Sequence, residues 1–325
     1  MKTSPLPKSI LAASVALICS FAASRVEAVQ TTALVNTVAS GQQLLTFDSA
    51  TPGTIIGSPV TITGLGGGET LAGIDYRPID GLLVGFGYAT ATGAGKVYSI
   101  SISTGLLTSI NSNTLTLSTG LTRVMADFNP TANALRLTTS GATTNNLRVP
   151  TAGTGVLTTD TDLNPANVGI RATAYSRNNA GGGTSGATTL YEIDGTNGSL
   201  VNQGSVDFFT GSGTSPNTGT LTQIAALNGA LVGVAGANTV VGFDIFNVPG
   251  TAAASPGSAF LATTTGGFLT LNLATAATAN VGTIGGTYTT IVDTAIVPEP
   301  SVFALVGIAA AGFAARRNRR KTVAA

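Results

Sequence analysis

Aspartates recur in similar short contexts along the middle of the chain. Asp75, Asp127, Asp244 and Asp293 each stand near the end of an apolar run, and Ser176 stands at the corresponding place in a further run. Two carboxyl groups hydrolyse glycosides when one is protonated, the other is ionised and roughly 5 to 9.5 Å separates them. The similar contexts of these aspartates favour a repeated structural role instead, such as accepting hydrogen bonds from the N–H groups of turns.

A second acidic pattern begins the stretch DTDLNPANVGIR. Asp160, Asp162 and Asn164 have the alternate spacing with which calcium-binding loops start. The sixth position is not glycine, and Arg171 occupies the twelfth position, where such loops need a bidentate glutamate. A polar loop between repeats is therefore the favoured interpretation, and calcium binding is the weaker alternative.

Composition excludes several classes of activity. The chain has no histidine, and its one cysteine, Cys19, lies in an N-terminal segment that we expect to be removed. A nucleophile–histidine–acid triad and the usual zinc and copper sites are therefore excluded, and we expect neither a cofactor nor enzymatic activity. Residues 29–297 contain seven basic and twelve acidic residues, a net charge of −5. A mildly acidic body is a poor partner for nucleic acid.

The N-terminus has the three parts of a secretory signal peptide. Lys2 and Lys8 provide a positive start, residues 10–23 form an apolar stretch, and Ala28 is a small residue at the expected cleavage point. We therefore predict a signal peptide at residues 1–28, cleaved after Ala28 by signal peptidase.

The C-terminus, residues 297–325, has its own ordered pattern. A kinked Pro298-Glu299-Pro300 precedes fifteen uncharged residues, 301–315, which would span roughly 22 Å as a helix against a hydrocarbon core of roughly 30 Å. A basic cluster follows that should remain on the cytoplasmic side and act as a stop: Arg316, Arg317, Arg319, Arg320 and Lys321. We expect a short membrane helix with the body of the protein on the far side of the membrane.

These three tail elements closely resemble the PEP-CTERM sorting signal of Gram-negative bacteria. The resemblance implies that an exosortase processes the protein after transient anchoring in the inner membrane. It also implies delivery to the outer surface or to an extracellular polysaccharide matrix. An ordinary tail anchor is the alternative interpretation.

The body, residues 29–296, is built from short apolar or alternating runs separated by Gly, Pro, Asn and Asp, which is typical of β-strands. Four-strand units recur at residues 71–110, 123–159 and 171–204, and a fourth begins at VVGFDIFN. A fifth unit needs YTTIVDTAI from the C-terminal end and three runs from the N-terminal end. The pattern predicts an all-β propeller of five four-stranded blades, closed by both termini. The long stretch 207–237 is an insertion or a degenerate sixth blade.

Several motifs in this body are similar to an exported bacterial family known as domain of unknown function 4394. The motifs LLTFDSATPGTI, GETLAGIDYRP, ADFNP, LYEIDG and FLTLNLATAATANVGTI follow one another in this order. The resemblance implies no activity. LRVPTAGTGVL departs from the pattern, because Pro150 lies inside an expected hairpin strand.

These features predict an exported, non-enzymatic structural or binding module, with extracellular polysaccharide as a candidate partner. The alternatives are a polysaccharide-active hydrolase that uses the propeller channel and a lectin-like glycan binder. The loops contain Gly, Thr, Ser and Asn, the chain has no Trp, and Tyr88 beside the loop 89–95 is the best-placed aromatic residue. We therefore expect the loops to bind purified polysaccharide weakly or not at all.

Overall fold

The computed structural model describes residues 28–110, 114–141, 146–150, 156–165, 169–176, 188–205, 213–247 and 257–297. In these ranges the chain is almost entirely β, with one short 3₁₀ helix, Pro216–Thr218, and one five-residue helix, α1 (Gly233–Ala237). Runs of β-branched and apolar residues form the strands, and glycines with positive φ, such as Gly105 and Gly198, form the turns between them.

Five sheets form the blades of a propeller, each built on four antiparallel strands, and two of the sheets carry an additional short strand. The first blade has β1 (Gln30–Thr37), β2 (Gly41–Asp48), β3 (Val60–Thr61) and β22 (Thr290–Ile296). The second has β4 (Thr70–Tyr76), β5 (Leu83–Tyr88), β6 (Ala94–Ile100) and β7 (Leu107–Ser109), and β8 (Leu115–Thr116) also pairs with β6. The third has β9 (Arg123–Asn129), β10 (Ala134–Ser140), β11 (Asn146–Pro150) and β12 (Thr158–Thr159).

The remaining strands complete the last two blades. The fourth has β13 (Ile170–Tyr175), β14 (Leu190–Asp194), β15 (Ser199–Gln203) and β16 (Leu221–Ala226). The fifth has β18 (Val240–Phe246), β19 (Ser258–Thr263), β20 (Gly267–Leu271) and β21 (Ala277–Thr283), with β17 (Asn228–Gly229) parallel to β21. Pro150 ends β11 and pairs with Ala134, so this blade keeps its ladder despite the proline.

The innermost strands β22, β4, β9, β13 and β18 close into a ring, because each contacts the next and β18 contacts β22. Strand β22 pairs with β1, so the two ends of the body share the first blade. The predicted all-β propeller with five blades and shared termini is therefore confirmed. Closure of the ring leaves the first blade without a separate terminal edge.

The stretch after residue 204 is not a sixth blade in the described part of the chain. It supplies β16, which pairs with β15 as the outer strand of the fourth blade, and then α1. The expected third unit, residues 171–204, therefore contains only three of its four strands. The outer strand comes later because an insertion separates it from β15, and the turn at residues 195–198 joins the two middle strands.

Apolar side chains fill the spaces between blades, but one interface is different. Between the third and fourth blades, the described residues form a small buried apolar cluster of Met125, Leu163, Ile170 and Val201, against which the partly buried Leu221 packs. Arg136, which is 1% exposed, completes this interface with hydrogen bonds to groups from both blades. Its partners are Tyr175 at 3.1 Å, Asn146 at 2.5 Å, Asp160 at 2.7 Å and Asn217 at 2.7 Å.

Small residues let the inner strands approach one another at the axis. A Cβ atom on Gly73 would lie 3.0 Å from Asp293 Oδ2 and 3.2 Å from the Cβ of Ala126.

In the part of the chain described, no helix is long and apolar enough to cross a membrane. The predicted signal peptide before Ala28 and the predicted sorting helix, residues 301–315, both lie outside the described ranges.

Candidate functional site

Three of the four recurring aspartates meet on the propeller axis. Asp75 in β4, Asp127 in β9 and Asp244 in β18 each offer a carboxylate oxygen, and these three oxygens all lie within 4.8 Å of one another. The residues are only 1%, 3% and 2% exposed. We call these three residues the axial carboxyl cluster. The ring brings together residues that are up to 169 positions apart in the chain.

Each carboxylate near the axis accepts a backbone N–H from the inner strand of the next blade. Asp293 accepts from Ile74 at 3.0 Å, and Asp75 accepts from Phe128 at 2.7 Å. Two further bonds have the same form: Tyr175 N–H to Asp127 at 2.8 Å, and Ile296 N–H to Asp244 at 2.6 Å. These donors belong to neighbouring strands, whereas the sequence predicted donors in turns. The inner edge of each blade has no ladder partner, so its N–H groups need side-chain acceptors.

The register of these bonds corrects two details of the aspartate repeat. Asp127 accepts the N–H of Tyr175, the residue after Ala174, just as Asp75 accepts that of the residue after Asp127. Ala174, and not the expected Ser176, therefore corresponds to the aspartates in the fourth blade. Ser176 instead accepts the N–H of Thr189 within its own blade at 2.9 Å.

Asp293 is also displaced from the position that its sequence context predicts. Asp244 bonds to Ile296, three residues beyond Asp293, so Ala295 is the positional counterpart of the other aspartates. Asp293 lies two residues lower on β22, where its carboxyl accepts from Ile74 and from Thr294. A shift of two residues keeps a side chain on the same face of a strand, which explains why the sequence pattern hides it.

Burial changes the ionisation of these groups. Desolvation, together with the nearby charge of Asp244, raises the pKa of Asp75 well above its ordinary value. Desolvation and the charge of Asp75 have the same effect on the pKa of Asp127. Desolvation raises the pKa of Asp293 to about 8, although two backbone N–H bonds and Arg123 oppose the shift. Carboxyl groups that are buried and close together therefore hold protons at neutral pH more readily than isolated, exposed carboxyl groups do.

The chemistry open to the axial carboxyl cluster is limited by access. Its oxygens are of the kind that bind divalent cations, and their mutual distances fit proton sharing. Five of the six carboxylate oxygens already accept a backbone N–H, from Tyr76, Phe128, Tyr175, Ile245 and Ile296. The three aspartates have similar surroundings, and none of them lines the open cavity described next.

An open funnel of about 370 Å³ lies at the end of the propeller where the inner strands begin. Thr70, Thr90 and Thr122 are exposed at its rim, and Arg123 is half-buried deeper in its wall. Arg123 also lines a narrow cavity of about 10 Å³, together with Asp293 and Ala126. Arg123 therefore lies between the funnel and the narrow cavity beside Asp293.

Arg123 is a site residue that the sequence analysis did not identify. It is the first residue of β9 and has no motif around it. Its Nη2 donates to the carbonyl of Val241 at 2.7 Å, which links the third blade to the fifth. Desolvation, reinforced by the positive charge of Arg171, lowers the pKa of Arg123 to about 10. A solitary arginine is visible as a site only when the surrounding blades are known.

The other candidate residues lie apart from the funnel or have different surroundings. The Asp160 carboxylate binds Arg148 through Nε at 2.6 Å and also binds Arg136, so a calcium ion would have to compete with two guanidinium groups. Tyr88 lines the funnel but is only 5% exposed, and its hydroxyl donates to the carbonyl of Ser118 at 2.7 Å. It is thus not an exposed platform for a sugar ring.

The processing residues at both ends have little or no described surroundings. Ala28 is exposed immediately before the buried Val29. The sorting triplet Pro298 to Pro300 and the basic cluster 316–321 lie outside the described residues, so their roles stay predictions.

A family model described as Domain of unknown function (DUF4394) matches residues 43–295. The chain belongs to this family. The match begins within β2 and ends within β22, so it leaves out β1 but includes strands of all five blades, and the family description carries no activity. A second model, the PEP-CTERM protein-sorting motif, matches residues 297–320. The protein is therefore an exported, exosortase-targeted member of this family.

Solved structures with a similar course of the chain are distant. A protein from Lactobacillus plantarum shares 14% identity over 79% of this chain and 67% of its own, with a TM-score of 0.39. A structure of a nidogen/laminin complex shares 10% identity over 83% of this chain and 98% of its own, with a TM-score of 0.45. PorZ from Porphyromonas gingivalis shares 13% identity over 80% of this chain and 29% of its own, with a TM-score of 0.34. No curated protein matches the chain.

Proposed function

We propose that this protein is a non-enzymatic structural or binding module of the cell envelope or extracellular matrix, associated with exported polysaccharide. The observation that carries the proposal is the combination of a sorting motif with a buried axial carboxyl cluster. The motif directs the chain out of the cell. The three aspartates of the axial carboxyl cluster are each at most 3% exposed. Three of the five backbone N–H bonds that these groups accept cross from one blade to the next, which suits the carboxyl groups to keeping the ring closed.

The alternative is a polysaccharide hydrolase that uses acids in the channel. The short distances among Asp75, Asp127 and Asp244 favour it, but such a reaction needs substrate access and two unlike environments. Incubation of the protein with a panel of polysaccharides should release no reducing ends. Release that disappears in Asp127→Asn would establish the alternative and overturn the non-enzymatic proposal.

The delivery part of the proposal is tested in a host that has an exosortase. We expect the wild-type strain to hold a shortened form outside the inner membrane, and an exosortase-deficient strain to hold a longer form in the inner membrane. In the wild-type strain, the double variant Pro298→Ala, Pro300→Ala should remain as the longer form in the inner membrane, because it lacks the processing motif. It should thus resemble the unchanged protein in the exosortase-deficient strain.

A matched control separates sorting from folding. Asp80→Ala changes an exposed residue of the propeller and should be sorted like wild type. Identical size and location of the wild-type protein in both strains would overturn the delivery proposal.

A further inference from the structure

The funnel contains one charged group in an otherwise neutral polar surface. Among the described residues that line it, Arg123 alone carries a charge. The other polar groups are side-chain amides and hydroxyls, from Asn36, Gln42, Tyr88 and five threonines: Thr70, Thr90, Thr122, Thr264 and Thr290. A cavity of about 370 Å³ lies in the size range of small-molecule sites, roughly 300 to 1,000 Å³.

The guanidinium of Arg123 lacks a carboxylate partner within the described ranges. The ion pairs found there are Arg77–Asp80, Arg136–Asp160 and Arg148–Asp160. The Nε of Arg123 is buried and has no hydrogen-bond acceptor among the described residues. Because an unpaired buried donor is costly, a bound acceptor at this position would stabilise the folded protein.

Neighbouring charges increase the preference for an anion. The positive charge of Arg171 acts on Arg123, and the Nε of Arg171 is likewise buried without an acceptor in the described chain. Asp293 lies on the inner side of Arg123, but burial raises its pKa to about 8, so its carboxyl is largely protonated at neutral pH. The guanidinium charge is therefore poorly compensated, even though the body as a whole is acidic.

We propose that the funnel binds the carboxylate of a small hydroxylated acid, and that Arg123 is the group that binds the anion. A guanidinium donates to a carboxylate through two N–H groups, and the threonine hydroxyls at the rim can bind ligand hydroxyls. A free sugar acid and a uronate residue of an acidic polysaccharide share this chemistry. The inference rests on the proposed function in one respect, because it assumes that the ligand is bound and released unchanged.

The first test is titration of the full-length chain, in a neutral detergent at pH 7 and low salt, with galacturonate and with galactose. We expect saturable binding of galacturonate and none of galactose. Arg123→Gln should weaken galacturonate binding at least tenfold. Arg77→Gln is the matched control, because Arg77 lies beyond the other end of β4 and pairs with Asp80; it should bind like wild type.

A second measurement does not depend on the folding of a variant. The Nε–H resonance of Arg123 in the wild-type chain, followed by NMR, should shift with galacturonate and stay in place with galactose. An unmoved resonance, equal binding of the two sugars, or unchanged affinity in folded Arg123→Gln would each overturn the inference.

The remaining comparison identifies the source of the carboxylate and separates this inference from the proposed function. Tighter binding of polygalacturonate than of the monomer would support a polymer ligand, and binding of the monomer alone would support a free acid. Recovery of chemically altered galacturonate would overturn the non-enzymatic proposal but would still support the funnel as a binding site. Absence of binding would overturn the site and leave the delivery experiment to judge the proposed function.

Discussion

The Oδ2 atom of Asp75 accepts the backbone N–H of Phe128 at 2.7 Å. Asp75 lies in β4 of the second blade and Phe128 in β9 of the third, and these two strands share no ladder in the described structure. A side chain thus does between blades what backbone carbonyls do within them. Similar bonds reach Ile74, Tyr175 and Ile296. The aspartates therefore connect four of the five pairs of neighbouring inner strands around the axis.

Asp75→Ala should lower the free energy of unfolding by roughly 2 to 4 kcal/mol at pH 5, because two buried N–H groups, those of Tyr76 and Phe128, lose their acceptor. Denaturant unfolding at pH 5 measures this, since protonation there limits repulsion among the aspartates. The control Asp80→Ala removes an exposed ion pair and should cost about 1 kcal/mol or less. Equal stability of the two variants would show that the axial bonds contribute nothing.

Thermal stability should fall as the pH rises from about 4 to about 8. The folded pKa of Asp293 is raised to about 8, and those of Asp75 and Asp127 are also raised, so the folded protein binds more protons than the unfolded chain in this window. Stability from these groups is complete below the unfolded pKa near 4 and declines as each folded group ionises. The midpoint temperature, measured at pH 5, 6, 7 and 8, should decrease. A rising midpoint would contradict the assignment.

Glu192→Gln should make the protein less sensitive to pH between 6 and 8. Glu192 is fully buried, desolvation raises its pKa to about 7, and its Oε1 accepts from Thr138 at 3.1 Å. Glutamine keeps the acceptor and cannot ionise, so the variant should gain midpoint temperature relative to wild type as the pH rises. Asp80→Asn is the control, because Arg77 lowers the pKa of Asp80 and it does not titrate in this window. If the midpoint temperatures of Glu192→Gln and wild type differed by the same amount at every pH from 6 to 8, the prediction would be wrong.

Gly242→Ala should destabilise the ring by roughly 1 to 3 kcal/mol, the usual cost of overpacking. A Cβ atom at this position of β18 would lie 2.8 Å from the backbone nitrogen of Thr294 on β22, and closer still to its hydroxyl. Gly67→Ala is the control, because its Cβ would meet no atom within 4 Å. Unfolding in denaturant distinguishes the two variants, and a Gly242→Ala protein as stable as the control would mean that the inner strands separate easily.

The order of strands, their turns and the address of the protein could be predicted from the sequence. Glycines at turns such as that of Gly105, the alternation within YTTIVDTAI and the sorting motif after Val297 are local patterns, readable over ten to thirty residues. The sharing of one blade by both termini followed from counting strands. The place of β16 could not be predicted, because an insertion moved this outer strand away from the blade to which it belongs and left open whether residues 207–237 form an insertion or a sixth blade.

Tertiary structure decided what the side chains do. Ala174 replaces Ser176 as the counterpart of the aspartates because register between blades depends on packing across the axis, which no local pattern records. Arg123 became a funnel residue only when ring closure placed β9 across the axis from β18 and β22. The sequence determined that the chain forms β-strands and leaves the cell, since those signals are local. Burial, which raises the pKa of Asp293 and lowers that of Arg123, arises only when strands far apart in the chain close the ring.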